Sequence, residues 1–256
     1  MAFYHPTTDF STKGKVLVVP VVSVANVAQL AADLLIASLS LDRVGIFDPR
    51  NLVPVVGARE DGLPGVTTPL ELFGRDNVNI AVIQQRSPAL KSSKQDFVDS
   101  LLEFIRTSGA SAVLIIGGVD MSNRTDPQML TPTCQIIPSG TPALTSGPLA
   151  ALTALPIPVY TSPVPQFLHS DEEKTVIPFI PGGGLSRRIL SSIPDTWQIP
   201  TACLLQYVME GDNREDAQLM AAVVSKVLQI EVPRWKQPSS WNHGLFGTPH
   251  DQTLYG

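Results

Sequence analysis

Two kinds of apolar segment alternate along this chain, and their alternation restricts the fold more than any other feature. Lys15–Val19 and Ala112–Ile116 are short apolar runs, typical of strands that are buried on both faces. Between them, Ser93–Gly109 repeats its apolar residues at helical spacing. Strands that alternate with amphipathic helices indicate a sheet covered by helices on both faces. We therefore predict one three-layer α/β/α domain over residues 1–232, with a mostly parallel, mixed sheet, and an extended tail over residues 233–256.

The other predicted elements follow from the same periodicities. Helices are predicted after Ser23, Ser93 and Asp212, with each of these polar residues as the N-cap. Asp96 and Glu215 lie three residues beyond Ser93 and Asp212, which resembles a capping box at both places. Further strands are predicted at Arg43–Phe47, Val53–Val56, Leu70–Phe73, Asn77–Gln85, Cys134–Ile137, Val176–Ile180 and Thr201–Met209.

Composition and charge exclude several classes of function. The net charge is −5 and the largest basic cluster is the pair Arg187–Arg188, which argues against nucleic acid or an anionic membrane as a partner. Cys134 and Cys203 are too far apart in sequence to indicate a disulfide framework or a metal site. Met1–Lys15 lacks the apolar core of a secretory signal, and no segment is long enough to span a bilayer. We expect a cytoplasmic protein, with the nucleus as a further location, that uses no metal or cofactor.

One long segment carries no charge at all. Residues 127–170 contain no Lys, Arg, Asp or Glu, but they hold nine of the 23 prolines. Such a segment must be buried, pack on a partner or form a neutral loop. We expect residues 140–166 to be irregular, with the strand at Cys134–Ile137 packed in the sheet.

The sequence offers little that resembles a catalytic site. Gly182–Gly184 precedes a possible helix start, where backbone N–H groups bind phosphate in many proteins. The spacing matches no phosphate-binding motif, however, and a tight turn explains three glycines equally well. The four histidines lie in predicted loops or termini, and no acid–base pair emerges. We predict that the chain is not an enzyme; the alternative, an enzyme of nucleoside-phosphorylase-like or nucleotide-binding α/β fold, rests on fold analogy.

Two groups of residues are candidates for binding or for structural support. Ser23, Asn26, Gln29 and Asp33 form a thin polar stripe on an otherwise apolar helix, and they either face a partner or satisfy the strand-to-helix turn. Trp235 and Trp241 lie in a segment rich in Pro and Ser. They anchor this segment onto the domain or onto a partner.

We predict that the last three residues form a short motif that binds reversibly in a pocket of a partner. Leu254, Tyr255 and Gly256 combine a hydrophobic side chain, a rigid aromatic ring with a polar tip and a free carboxylate. A lysine or a backbone nest captures such a carboxylate. A short peptide of this kind binds weakly alone but gains about 10²–10⁴ in avidity when it is tethered to a docked domain.

Several blocks together resemble the proteasome assembly chaperone 2 family. In order they span residues 16–247, and residues 141–175 have no counterpart. The matching blocks are Pro20–Leu34, Leu52–Gly57, Ile180–Gly184, Glu210–Asn213, Arg234–Trp241 and Leu245–Gly247.

The resemblance implies a non-enzymatic function. Proteins of this family form a heterodimer with proteasome assembly chaperone 1, a distant relative of similar fold. The heterodimer binds the outer face of the 20S proteasome α-ring and promotes its assembly. Family members insert a C-terminal hydrophobic–Tyr–any-residue motif into a pocket between adjacent α subunits, where the carboxylate meets a lysine. Leu254, Tyr255 and Gly256 match this motif position by position.

Overall fold

The computed structural model describes residues 2–163 and 177–243. An eight-stranded sheet forms the centre of the molecule, in the order β1-β3-β6-β7-β2-β8-β10-β9, and β4 pairs with β5 in a separate small hairpin. The strands are β1 (Tyr4–Pro6), β2 (Val16–Pro20), β3 (Asp42–Phe47), β4 (Gly57–Ala58), β5 (Val66–Thr67), β6 (Leu70–Gly74), β7 (Ile80–Gln85), β8 (Ala112–Asp120), β9 (Thr133–Ile136) and β10 (Thr201–Val208).

Helices cover both faces of the sheet. The helices are α1 (Val27–Ser38), α2 (Lys94–Thr107), α3 (Ala151–Ala154), α4 (Gly184–Ser191) and α5 (Arg214–Val227). Alternate residues of β2 point to opposite sides: Leu17 joins the core that contains α2 and α4, and Val18 joins the core that contains α1, α3 and α5. The predicted three-layer α/β/α fold is confirmed.

The sheet is parallel at its centre and antiparallel at its edges. The strands β7, β2, β8 and β10 run parallel, whereas β6, β3, β1 and β9 join them in antiparallel pairs. The two halves are covered differently. On the α2 face, β3 and β6 bury Val44 and Leu72 in the core. On the opposite face the same strands carry Arg43, Glu71 and Phe73, beside the β4–β5 hairpin and residues 236–239.

The observed helix starts match the predicted N-caps only in part. The Ser23 side chain makes no cap hydrogen bond, because a 3-10 turn at Val24–Asn26 separates it from α1. Ser93 is the N-cap residue of α2, as predicted, but its side chain makes no cap hydrogen bond. The helix α5 begins one residue later than predicted, with Asn213 as its N-cap, and the carboxylate of Asp212 binds Arg214 instead. Both capping boxes are therefore wrong.

Two predicted strands are also wrong. Residues 53–56 form no strand; Pro54 lacks the N–H that a ladder needs, and the Val53 amide donates to the carbonyl of Pro88. Residues 177–180 form no strand either, since their carbonyls accept hydrogen bonds from other groups. The Ile177 carbonyl accepts from the Arg187 guanidinium, and that of Phe179 accepts from the Tyr160 hydroxyl. Val176 lies outside the described residues.

The described part of the uncharged segment, residues 127–163, packs onto the sheet; residues 164–170 lie outside the described residues. Its strand β9 pairs with β10, and Leu144, Leu149 and Leu152 are buried in the α1 and α5 core. A single turn of helix, α3, interrupts the part for which we expected no regular structure. At the three leucine positions the segment therefore lacks charged residues, because these side chains are buried in the core.

The strand β8 approaches the loop before α1 so closely that Gly118 leaves no room for a side chain. A Cβ at this position would lie 2.7 Å from the Val24 carbonyl oxygen and 3.0 Å from Val27 Cγ1. The replacement Gly118→Ala should therefore lower the free energy of unfolding by about 1–3 kcal/mol, because the backbone must move. Urea denaturation measures this change.

Gly184→Ala is the matched control. A Cβ at Gly184 meets no atom within 4 Å, and the residue begins α4. Alanine there should leave stability unchanged or raise it by about 0.4–1 kcal/mol. Equal effects of the two replacements would contradict the proposed close contact at Gly118.

Candidate functional site

The turn between β2 and α1 is held by polar groups from three parts of the chain. Ser23 Oγ accepts a hydrogen bond from the Gly118 N–H at 2.7 Å and donates to the Val21 carbonyl at 3.0 Å. Ala25 and Asn26 both have positive φ, at 58° and 50°. Glu210 Oε1 accepts from the Ala25 N–H at 3.0 Å. These contacts fix the turn, in which Asn26 is exposed to solvent.

The rest of the polar stripe contacts the sheet. Asp33 Oδ1 accepts from Gln84 Nε2 at 2.7 Å and from Arg86 Nη2 at 3.2 Å. Burial raises the pKa of the Asp33 carboxyl, and the neighbouring Arg86 opposes this effect only in part. Gln29 is buried, and its backbone carbonyl accepts from the same Gln84 amide. The structure thus brings Gln29 and Asp33 together around Gln84, with Asn26 as the exposed member of the stripe.

The segment Pro233–His243, here called the strap, lies against the face formed by α1 and α5. Trp241 is only 4% exposed and belongs to the core between these helices and the sheet. Trp235 is half-buried against the same core. Burial of two tryptophans makes the strap part of the folded domain.

Hydrogen bonds fasten the strap on both sides. The Lys236 N–H donates to Ser38 Oγ at 2.9 Å, at the last residue of α1. The hydroxyl of Ser239 and the N–H of Ser240 donate to Glu60 Oε2 at 2.8 and 3.1 Å. Sequence reasoning missed Ser38 and Glu60, because 198 and 179 residues separate them from their partners.

The loop before β9 presents two exposed apolar side chains on a firmly held backbone. Met129 is 61% exposed and Leu130 is 90% exposed. The guanidinium of Arg124 donates to the carbonyls of Gln128, Met129 and Thr131 at 2.7, 2.8 and 3.2 Å. The same guanidinium lies over the Tyr207 ring, 5.2 Å from its centroid.

Exposed Met209 lies at the same end of the sheet. It directly follows β10, whose Tyr207 amide donates to the Pro132 carbonyl. We call Met129, Leu130 and Met209 the apolar edge. Sequence reasoning missed this surface; a Met–Leu pair in a loop flanked by Pro127 and Pro132 was the available signal.

The glycine block and the two cysteines, which the sequence offered as candidate chemical sites, are packed into the fold. A Cβ at Gly182 would collide with Val24 Cγ2, and one at Gly183 would collide with Ile180 Cγ2, so these glycines permit close packing. Both cysteines are buried, and burial raises the pKa of Cys134 to about 12 and also that of Cys203. Their thiols therefore stay protonated and poorly nucleophilic.

Within residues 2–163 and 177–243, no group of three or more His, Cys, Asp or Glu side chains is placed to hold a metal ion. In the same part of the chain, none of the helices has the length and apolar character needed to cross a membrane. Leu254, Tyr255 and Gly256 lie outside the described residues.

Comparison with known proteins shows the family to which this chain belongs. A model of the PAC2 family matches residues 17–235, and the chain belongs to this family. It is similar to proteasome assembly chaperone 2 of Bos taurus, with 30% identity over an alignment of 258 positions, gaps included. The alignment covers 94% of this chain and 95% of the bovine one. The corresponding protein of Xenopus laevis is 31% identical over 247 residues, or 91% of each chain. The resemblance read from the sequence is confirmed.

A solved structure supports the fold assignment. Pyrococcus furiosus PbaA, described as an archaeal homolog of proteasome-assembly chaperone, superposes with a TM-score of 0.62. The match covers 90% of this chain and 87% of PbaA at 16% sequence identity, so this likeness concerns the fold alone.

The contact between Glu60 and the strap predicts a pH dependence. Burial raises the pKa of the Glu60 carboxyl, but the hydrogen bonds from Ser240 and Ser239 outweigh burial and hold the pKa below its usual value. A lowered folded pKa stabilises the contact above the unfolded value of about 4.3, and this stabilisation is lost as the pH falls through the folded pKa. Glu60→Gln should therefore reduce hydrogen-exchange protection of the Ser240 and Trp241 amides at pH 7, and the difference from wild type should shrink in acid.

Glu103→Gln serves as the control for this measurement. Glu103 is exposed and pairs with Arg106 on α2, away from the strap. Its replacement should leave protection of the strap amides unchanged. Unchanged protection in Glu60→Gln at pH 7 would mean that this carboxylate does not hold the strap.

Proposed function

We propose that this chain is a proteasome assembly chaperone that acts as one half of a heterodimer with proteasome assembly chaperone 1. Membership of the PAC2 family and about 30% identity to proteasome assembly chaperone 2 over most of the chain carry this proposal. A purely binding function also agrees with the buried, protonated cysteines and with the packing role of Gly182 and Gly183. We expect the heterodimer to act in the cytoplasm and the nucleus.

The apolar edge is the surface that we propose for the partner chaperone. Arg124 fixes the loop backbone before binding, so little conformational entropy is lost when Met129 and Leu130 become buried. Methionine is enriched at protein interfaces, and exposed apolar side chains that lie together mark interaction sites. The loop residues 127–132 themselves add no charge to such a contact, while the exposed carboxylates of Asp126 and Glu210 lie at its rim.

The C-terminal residues are the proposed contact with the 20S α-ring. Leu254, Tyr255 and Gly256 supply a hydrophobic side chain, an aromatic ring and a carboxylate, which suit a pocket that holds a lysine. The described part of the strap reaches residue 243, and a chain of 13 residues beyond it spans at most about 45 Å when fully extended. A docked heterodimer within that distance of a pocket would raise the effective concentration of the tail.

Removal of Leu254–Gly256 tests the tail. Deletion should weaken binding of the heterodimer to the α-ring by at least tenfold, because the tethered contact is lost. Tyr255→Ala should act mainly by raising the dissociation rate, which surface plasmon resonance measures.

Gly256→Ala is the matched control, since it keeps the hydrophobic–Tyr–any-residue pattern and should bind as wild type does. Heterodimer formation should survive all three changes. If the deleted chain binds the α-ring with unchanged affinity, the tail is not the contact.

Replacement of Leu130 by Asp tests the apolar edge. A carboxylate at the centre of this surface would have to be buried without a partner, so heterodimer affinity should fall at least tenfold. Size-exclusion chromatography with light scattering, followed by titration calorimetry, measures the loss.

Val56→Asp is the control for this replacement. Val56 is 78% exposed in the loop before the β4–β5 hairpin, so its replacement introduces the same charge on a different surface. Both variants should fold, because both side chains are largely exposed. A heterodimer that tolerates Leu130→Asp but not Val56→Asp would place the partner at the hairpin.

A further inference from the structure

A cavity of about 360 Å³ lies under the strap. The carboxyl-terminal half of α1 forms one wall, β3 and β6 form the floor, and the β4–β5 hairpin and strap residues 236–239 close it. Ile36, Phe73 and Pro238 give it an apolar surface. This volume is within the usual range for small-molecule sites, which is about 300–1,000 Å³.

A buried carboxylate on the floor has an oxygen without a partner. The Glu71 side chain is 0% exposed. Its Oε1 accepts from Arg43 Nη1 at 2.8 Å and from the Thr68 N–H at 3.0 Å. Among the described residues, nothing donates a hydrogen bond to Oε2. A buried acceptor left unpaired is destabilising, which favours a ligand that brings a donor.

A complementary donor lines the same cavity. Arg86 uses Nη2 to bind Asp33 at 3.2 Å, whereas its Nε is buried and has no acceptor among the described residues. Glu71 pairs across the strands with Gln84, and Arg86 is two residues beyond Gln84. Diagonal neighbours of this kind lie about 7–8 Å apart, so one small molecule can contact both side chains.

The charges of the cavity balance. Its lining contains five basic side chains, which are Arg43, Arg59, Arg75, Arg86 and Lys236, and five acidic ones, which are Asp33, Asp42, Glu60, Asp61 and Glu71. A ligand with a net charge would upset this balance, whereas a zwitterion preserves it. An inorganic anion would pair with Arg86 and leave Glu71 Oε2 unsatisfied.

We propose that this cavity binds a free α-amino acid with an apolar side chain. Protein atoms cover both groups in the structure, so binding requires the two side chains to turn toward the cavity; the ammonium group then donates to Glu71 Oε2, and the carboxylate accepts from Arg86 Nε. The apolar side chain packs against Ile36, Phe73 and Pro238. Because Pro238 belongs to the strap, the bound amino acid also contacts the segment that leads to the C-terminal tail. This inference is independent of the proposed chaperone function.

Calorimetric titration of the full chain with L-leucine, L-isoleucine, L-methionine and L-phenylalanine tests the site. At least one of these should bind and raise the melting temperature. For that amino acid, the N-acetyl derivative removes the ammonium and the amide removes the carboxylate. Each derivative should bind at least tenfold more weakly, since each loses one charge-assisted hydrogen bond.

Ala37→Leu provides the structural test, because Ala37 lines the cavity from α1 and a larger side chain fills it. Binding should fall at least tenfold, and urea denaturation should show a folded protein. Ala222→Leu on the exposed face of α5 is the matched control and should bind as wild type does. The proposal is overturned if none of the four amino acids binds, if Ala37→Leu binds as tightly as wild type, or if the derivatives bind equally well.

Discussion

The central sheet must be covered on both faces, and this requirement determines the rest of the architecture. Side chains of β2 and β8 are buried on both sides, so neither face tolerates water. The helices α2 and α4 cover one face, and α1, α3 and α5 cover the parallel half of the other. Close contact of β8 with the turn before α1 depends on Gly118 and on the Ser23 hydroxyl.

The antiparallel half of the α1 face is completed by segments that are not long helices. A two-stranded hairpin and the strap lie beside β3 and β6, and the cavity forms between them. Trp241 and the hydrogen bonds at Ser38 and Glu60 make the strap part of the domain. The same packing that completes the fold therefore holds the chain as far as residue 243, which in the proposed function is the point where the C-terminal tail is tethered. A binding protein that uses its terminus needs such a fixed origin, because tethering supplies much of the avidity.

Local sequence patterns predicted the elements whose own residues determine them. The strands around Val18 and Leu114 and the helix face that contains Leu101 all follow from apolar periodicity, and so does the three-layer class. The predictions failed where distant residues decide. Ser23 binds Gly118 of β8 instead of capping a helix, and the Ile177 carbonyl accepts from Arg187 instead of from a strand. The cavity and the strap contacts join residues nearly 200 positions apart, which no local pattern records.

The proposed role as a proteasome assembly chaperone with a related partner requires that the partner and the proteasome subunits accompany this chain in cells. Native affinity purification of the full chain from its own cells, with mass spectrometry of the proteins that accompany it, tests this claim most directly. We expect to recover proteasome assembly chaperone 1 in equal amount together with α subunits of the 20S proteasome. Recovery of the chain as a monomer with neither of them would contradict it.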